Sequence, residues 1–235
     1  MDYTACIPQH FDLYIFDLDG TLIDSLDDLA RAMNTTLERY GIKAVDRETV
    51  RRGLGNGAHN LVHHSFDAAV KAGSKHLSDP AAGLSPAELV ALVEQALPEY
   101  RSEYEKCCVD KTVLYPGIRL WLESLKKQGS RLAVLTNKPE ELAQHILKAL
   151  EADSFFDCIY GPESAGKLKP EPAGILRILE ETGTPPRRAL MIGDSGVDIR
   201  TARNAGIASC GITGGLGDEA ELRSLEPEYF IERPE

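Results

Sequence analysis

The chain has 235 residues, 43% hydrophobic and 27% charged, enough apolar material for one large domain or two small ones. Lysine and arginine number 26 against 37 aspartate and glutamate, a net charge of −11 that speaks against a nucleic-acid surface and leaves any anionic substrate dependent on local cations or backbone amides. No apolar run reaches the length of a membrane span, residues 1–10 lack a basic region followed by an apolar one, and the five cysteines show no metal-ligand spacing, so a reduced cytoplasmic protein is expected.

The first predicted element is a buried strand over 13–16, an unbroken apolar run. It leads directly into Asp17-Leu18-Asp19-Gly20-Thr21. Two carboxylates two residues apart at a strand end are costly to bury without a partner, which points to a cation or to phosphoryl chemistry; an Asp-Gly turn with solvated caps is the plainer reading. Helical spacing follows over 26–40, ended by Gly41. A basic, Gly-rich joint is read over 51–57, a helix over 58–71, a polar loop over 73–85 and a helix over 86–107 with a kink or break at Pro98.

From residue 112 the rhythm changes to alternating helices and strands. Helices are predicted over 118–128, 140–150, 173–182 and 197–204, and strands over 132–135, 158–160, 189–192, 208–211 and 229–231. This alternation predicts an α/β fold, a parallel Rossmann-like sheet covered by helices on both faces, which the strand at 13–16 joins. The expected organisation is a core of residues 1–23 and 108–235 with an all-helical insertion over 24–107.

Polar groups gather after the predicted strands: Asp17 and Asp19, then Thr136-Asn137, then Lys167-Leu168-Lys169-Pro170, then Gly193-Asp194-Ser195-Gly196-Val197-Asp198. In a parallel sheet such ends converge on one edge, where ligands sit. Their chemistry suits phosphoryl transfer, which needs a nucleophile, charge neutralisation and an acid for the leaving group. Asp17 and Asp194 offer hard oxygen ligands for Mg²⁺, the Thr136 hydroxyl can hold phosphate oxygens, and Lys169 can neutralise charge.

These runs, with Leu135-Thr136-Asn137-Lys138-Pro139 and Lys169-Pro170-Glu171-Pro172, resemble the four motifs of haloacid dehalogenase-superfamily phosphatases in order and over essentially the whole chain. Asp24-Ser25, Arg51 with Gly55-Asn56-Gly57-Ala58, Tyr115-Pro116-Gly117 and Gly211-Ile212-Thr213 resemble the phosphoglycolate phosphatase subgroup. The resemblance implies that Asp17 is nucleophile and Mg²⁺ ligand, and that Asp19 is general acid and then base, with its backbone carbonyl on the metal. It implies Asp194 as the third protein ligand, Asp198 behind it orienting Lys169 or a metal water, Thr136 and the Asn137 amide on the phosphoryl group, and Gly20 as the close turn. The helical insertion is expected to be a mobile cap whose Arg51 and Asn56, with Arg52 and His59, select the substrate.

The chain also departs from that pattern. The loop Thr213-Gly214-Gly215-Leu216-Gly217 lacks the aromatic residue expected after the threonine, Gly196-Val197 replaces a more polar pair, and the loop at 73–85 is long. These differences bear on the substrate more than on the chemistry. The expected partner is a small phosphate ester, 2-phosphoglycolate first, with no nucleic acid and no membrane, and the protein is expected as a monomer or homodimer. Rival readings are a phosphatase of another sugar phosphate or of pyrophosphate, a β-phosphoglucomutase, which would carry a histidine soon after the first motif, a dehalogenase, which has no need of Asp19, and a receiver-type signalling module, which would be smaller.

Overall fold

The structure, a computed structural model, describes residues 7, 9–73 and 85–233. The described residues fall into two compact units, one running to Asp24 and resuming at Val113, the other spanning Ser25–Thr112. Cys6 and most of the loop expected over 73–85 lie outside the described residues.

The chain enters through strand β1 (Leu13–Phe16), every residue of which is buried, and a short strand β2 (Ile23–Asp24). The helical unit then follows as α1 (Leu26–Arg39), α2 (Arg47–Arg52), α3 (Gly57–Lys71) and α4 (Pro86–Cys107). Asp46 caps α2 by accepting from Thr49 N, which turns part of the expected joint into a helix that carries Arg51 and Arg52. The α4 start is a reciprocal cap between Ser85 and Glu88.

Helix α4 runs through Pro98 as one element, so the chain does not break there. Proline removes one helical hydrogen bond, but Leu92, Val93, Ala96, Tyr100 and Tyr104 are buried on either side of it, and that packing favours the continuous helix. Residues 108–112 remain with the helical unit because Asp28 holds them: its Oδ2 accepts from Lys111 N, Thr112 N and Thr112 Oγ1, each at 2.9 Å.

The other unit resumes with β3 (Val113–Leu114), antiparallel to β2, and continues through α5 (Ile118–Lys127), β4 (Arg131–Leu135), α6 (Glu140–Ala149), β5 (Cys158–Tyr160), α7 (Pro162–Ala165), α8 (Ala173–Thr182), β6 (Ala189–Gly193), α9 (Gly196–Ala205), β7 (Ala208–Ile212), α10 (Glu219–Ser224) and β8 (Tyr229–Ile231). Six strands form one sheet in the order β5-β4-β1-β6-β7-β8, all neighbours parallel. Both faces are covered, and Leu13, Ile15, Ala133, Met191, Ile175 and Ala202 lie in one shared core cluster. Trp121 is fully buried and meets Phe16 edge to face at 5.3 Å, so α5 is packed onto β1. Among the described residues no helix is long and apolar enough to cross a membrane.

The centre of the sheet places the chemistry. From β1 the sheet grows through β4 on one side and through β6 on the other, so the carboxyl ends of these strands flank the crevice where such sheets bind ligands.

Candidate active site

Asp17 extends β1 by donating its backbone N–H to Ile192 O at 2.9 Å. The chain then folds sharply: Leu18 O accepts from Thr21, Leu22 and Ile23, and Gly20 N reaches Ile23 O at 2.9 Å. Gly20 sits at φ +87°, and a Cβ there would stand 2.0 Å from Asp194 Oδ2. Only glycine meets both demands, so the turn closes directly against Asp194.

Lys169 Nζ bridges Asp17 Oδ1 at 2.7 Å and Asp198 Oδ1 at 2.6 Å. Of the two lysines in the run Lys167-Leu168-Lys169-Pro170, this one is 5% exposed while Lys167 is exposed. Burial works against the Lys169 ammonium, but the two carboxylates outweigh it and hold its pKa above the usual lysine value. Asp198 is held in turn, since its Oδ2 accepts from Ser195 N and Ser195 Oγ in the cap that starts α9. The side chain of Asn137 has a task absent from the sequence reading. Its Oδ1 accepts from Lys169 N at 2.8 Å and its Nδ2 donates to Lys169 O at 3.1 Å, which locks the lysine's backbone.

Asp194 completes a buried cluster: oxygen atoms of Asp17, Asp194 and Asp198 all lie within 4.8 Å of one another. Asp194 Oδ1 accepts from Thr21 Oγ1 at 3.0 Å, and Oδ2 accepts from Leu216 N at 2.7 Å and Gly217 N at 2.8 Å. Burial and the Asp198 charge push Asp194 up to about 6, against the lowering pull of those amides and of the Thr21 hydroxyl. Burial pushes Asp17 up to about 8; Lys169 opposes this, and Asp198 and Asp194 add to it.

With all three carboxylates ionised, one ammonium would leave a surplus of two negative charges in a buried space, the burden that raises Asp17 and Asp194. That surplus, offered by oxygen atoms alone, matches a hard divalent cation such as Mg²⁺. Asp198 has both oxygens engaged, by Lys169 and Ser195, and so does Asp194, by Thr21, Leu216 and Gly217, while Asp17 is paired through Oδ1 to Lys169.

The side chain of Asp19 lies in a different pairing. Lys138 Nζ donates to both its oxygens at 2.7 Å, and the lysine side chain is only 4% exposed. Lys138 stood in the sequence within the Thr136-Asn137 motif, but nothing local marked its partner. Thr136 is buried at the end of β4, and its Oγ1 accepts from Lys138 N at 3.2 Å.

Arg51 and Asn56 belong to the helical unit. Arg51 donates twice to Glu48, which also takes Arg52, and these two arginines hold the Glu48 carboxyl down at about 2. Asn56 is exposed at the start of α3, and His59 Nε2 lies 3.0 Å from Glu94.

A family model for haloacid dehalogenase-like hydrolases matches residues 14–212. Curated phosphoglycolate phosphatases resemble the chain closely. The one from Pseudomonas putida is 35% identical over 94% of this chain and 76% of its own length, and the one from Mannheimia succiniciproducens is 35% identical over 95% of each. Among solved structures, a chain from Haemophilus somnus described as a "predicted phosphoglycolate phosphatase" superposes with a TM-score of 0.81 at 32% identity, covering 95% of both chains. CbbY from Rhodobacter sphaeroides, solved in complex with phosphate, gives 0.67 at 27% identity over 88% of both.

Proposed function

We propose, on the premise that the chain belongs to the haloacid dehalogenase-like hydrolase family and is one of its phosphatases, that it hydrolyses the phosphomonoesters of small metabolites with Mg²⁺, 2-phosphoglycolate first among them. The observation that carries the reaction is the buried cluster of Asp17, Asp194 and Asp198 bridged by Lys169. The substrate choice is supported by the curated relatives, which share a third of their residues with nearly the whole chain.

In this reading Asp17 attacks phosphorus in line with the ester oxygen. A bond from its carboxylate to phosphorus forms as the phosphorus–alkoxide bond breaks, and the alkoxide takes a proton from Asp19. Asp19, now a carboxylate, then takes a proton from a water as that water attacks the aspartyl phosphate. The bond to Asp17 breaks, and orthophosphate leaves. Lys169 faces the nucleophile and neutralises charge there, and Asp198 and Asn137 keep it in place. Thr136 and the backbone amide of Asn137 hold the phosphoryl oxygens. Mg²⁺, held by Asp17, Asp194 and the Asp19 carbonyl, would supply positive charge to the transferring group.

The substrate's remaining part is assigned to the helical unit as a cap, with Arg51 and Asn56 as the selecting residues. A panel of 2-phosphoglycolate, sugar phosphates and pyrophosphate, scored by kcat/KM with Mg²⁺, tests the substrate. Asp17→Asn tests the chemistry: phosphate release should fall by about 10³-fold or more in a folded protein. Turnover near wild type in that variant would overturn the mechanism.

A further inference from the structure

Arg233, near the end of the chain, belongs to none of the motifs. Its Nη1 donates to Gly20 O at 3.2 Å and Gly214 O at 3.1 Å, and its Nη2 donates to Thr21 O at 2.7 Å. The guanidinium carbon lies 3.6 Å from the centroid of the Tyr115 ring. The backbone is fastened as well: Arg233 N donates to Thr213 Oγ1 at 3.1 Å, and Thr213 N to Ile231 O at 3.0 Å. One side chain therefore ties the turn after β1 to the loop after β7.

Those two segments carry the donors that hold Asp194. Thr21 Oγ1 comes from the turn, and Leu216 N and Gly217 N come from the loop. The fit leaves no slack. A Cβ on Gly215 would stand 2.5 Å from both Asp194 Oδ2 and Gly20 O, and one on Gly217 would stand 2.2 Å from Asp194 O. A separation of turn and loop by a fraction of an ångström would lengthen the bonds on one oxygen or the other and turn the carboxylate away from Asp17.

We infer that Arg233 is a positioning residue for cation binding, a clasp between turn and loop that sets the orientation of Asp194. The inference rests on the reading of the carboxylate cluster as a divalent-cation site. It explains why the residue is arginine. A planar fork can serve three carbonyls in fixed directions while stacking on an aromatic face, and a lysine ammonium cannot do both. Groups that orient a ligating carboxylate typically govern metal affinity by about 10- to 100-fold.

The test is Mn²⁺ binding followed by electron paramagnetic resonance on the metal-free protein without substrate, beside steady-state phosphate release. Arg233→Met keeps an apolar stem beside Gly214 and removes the carbonyl bonds and the guanidinium that lies over Tyr115. It should weaken Mn²⁺ binding by about 10-fold or more and raise the half-saturating Mg²⁺ concentration in step, with kcat at saturating Mg²⁺ within about 2-fold. Arg223→Met, which disturbs a surface pairing with Glu219 and Glu232 on the same terminal segment, should leave Mn²⁺ binding unchanged. Should Arg233→Met fail to fold, Arg233→Lys carries the test, with a loss of at least about 3-fold expected. A folded Arg233 variant that binds Mn²⁺ as the wild type does would overturn the clasp alone, and so would an equal loss in Arg223→Met. A wild-type protein that binds no Mn²⁺, or binds it equally well after Asp194→Asn, would overturn the cation site and the clasp with it.

Discussion

Replacing Lys169 by methionine is the most direct way to expose the electrostatics of the cluster. The ammonium lies 2.7 Å from Asp17 and 2.6 Å from Asp198, and all three side chains are almost wholly buried. Removing one partner from a buried ion pair costs about 3–5 kcal/mol, because the remaining charge has neither water nor a counter-ion. The pH dependence follows from Asp17. Its folded-state pKa is already raised to about 8 with Lys169 present, against about 3.9 in an unfolded chain. Losing Lys169 removes a lowering influence and raises it further. Below pH 8 both proteins hold a proton on Asp17 when folded, so the loss is level there. Above pH 8 the wild type releases that proton and the variant keeps it as an uncompensated burden, so the loss grows by about 1.4 kcal/mol per pH unit until the variant titrates. Trp121, the single tryptophan, is buried against β1 and reports unfolding in urea. The assay compares wild type and Lys169→Met in chelator at pH 7 and pH 9. A loss below about 1 kcal/mol at pH 7, or one that shrinks toward pH 9, would refute the reasoning.

Two further outcomes follow. In chelator, Asp17 makes the wild-type protein lose stability as pH rises from about 4 to about 8, because the folded state holds a proton that the unfolded chain releases. Mg²⁺ competes with that proton, so the rise in Tm it produces should be larger at pH 8 than at pH 6; a smaller rise at pH 8 in differential scanning calorimetry would count against a cation on Asp17. In the helical unit, Asp28→Ala leaves Lys111 N, Thr112 N and Thr112 Oγ1 without their acceptor. Stability should fall by about 3 kcal/mol or more, with Asp28→Asn losing less, and equal urea midpoints for Asp28→Ala and wild type would show that the contact is not stabilising.

The sheet and the motif positions were legible because their signals are local. An apolar tetrapeptide before Asp17 marks β1, alternating periods mark the parallel sheet, and strand ends converge by topology. What escaped depends on contacts between distant segments. Pro98 argues for a break to anyone reading neighbours, and the buried residues around it decide otherwise. Lys138 is 119 residues from Asp19 in sequence, and Arg233 is more than 200 from Gly20, so neither pairing has a local pattern. Asn137 was read only through its amide, since nothing in its neighbourhood reveals that its side chain spans both backbone groups of Lys169. Of the two lysines at the third motif, the proline-adjacent Lys169 is the one its pattern favours, and it is also the buried one.

Asp17 and Asp19 look alike as a pair of anions behind a strand, yet the fold places them in opposite electrostatic company. Asp19 and Lys138 balance one another, with both carboxylate oxygens on one ammonium. Asp17 shares a single ammonium with Asp198 and has Asp194 close by, which leaves negative charge over. A divalent cation is attracted to the second group and gains little from the first. The same contrast constrains the proposed cycle. Asp19 can deliver a proton to a leaving oxygen only when its carboxyl is no longer held by Lys138 at both oxygens. Drawing the buried ammonium away from its half-buried partner is unfavourable unless another anion receives it. A phosphate ester brings that anion into the site, so the acid step is available when the substrate is present and is restrained when it is absent. On this reading the two carboxylates of one short turn divide the work: one recruits the cation, and the other answers to the charge of the substrate.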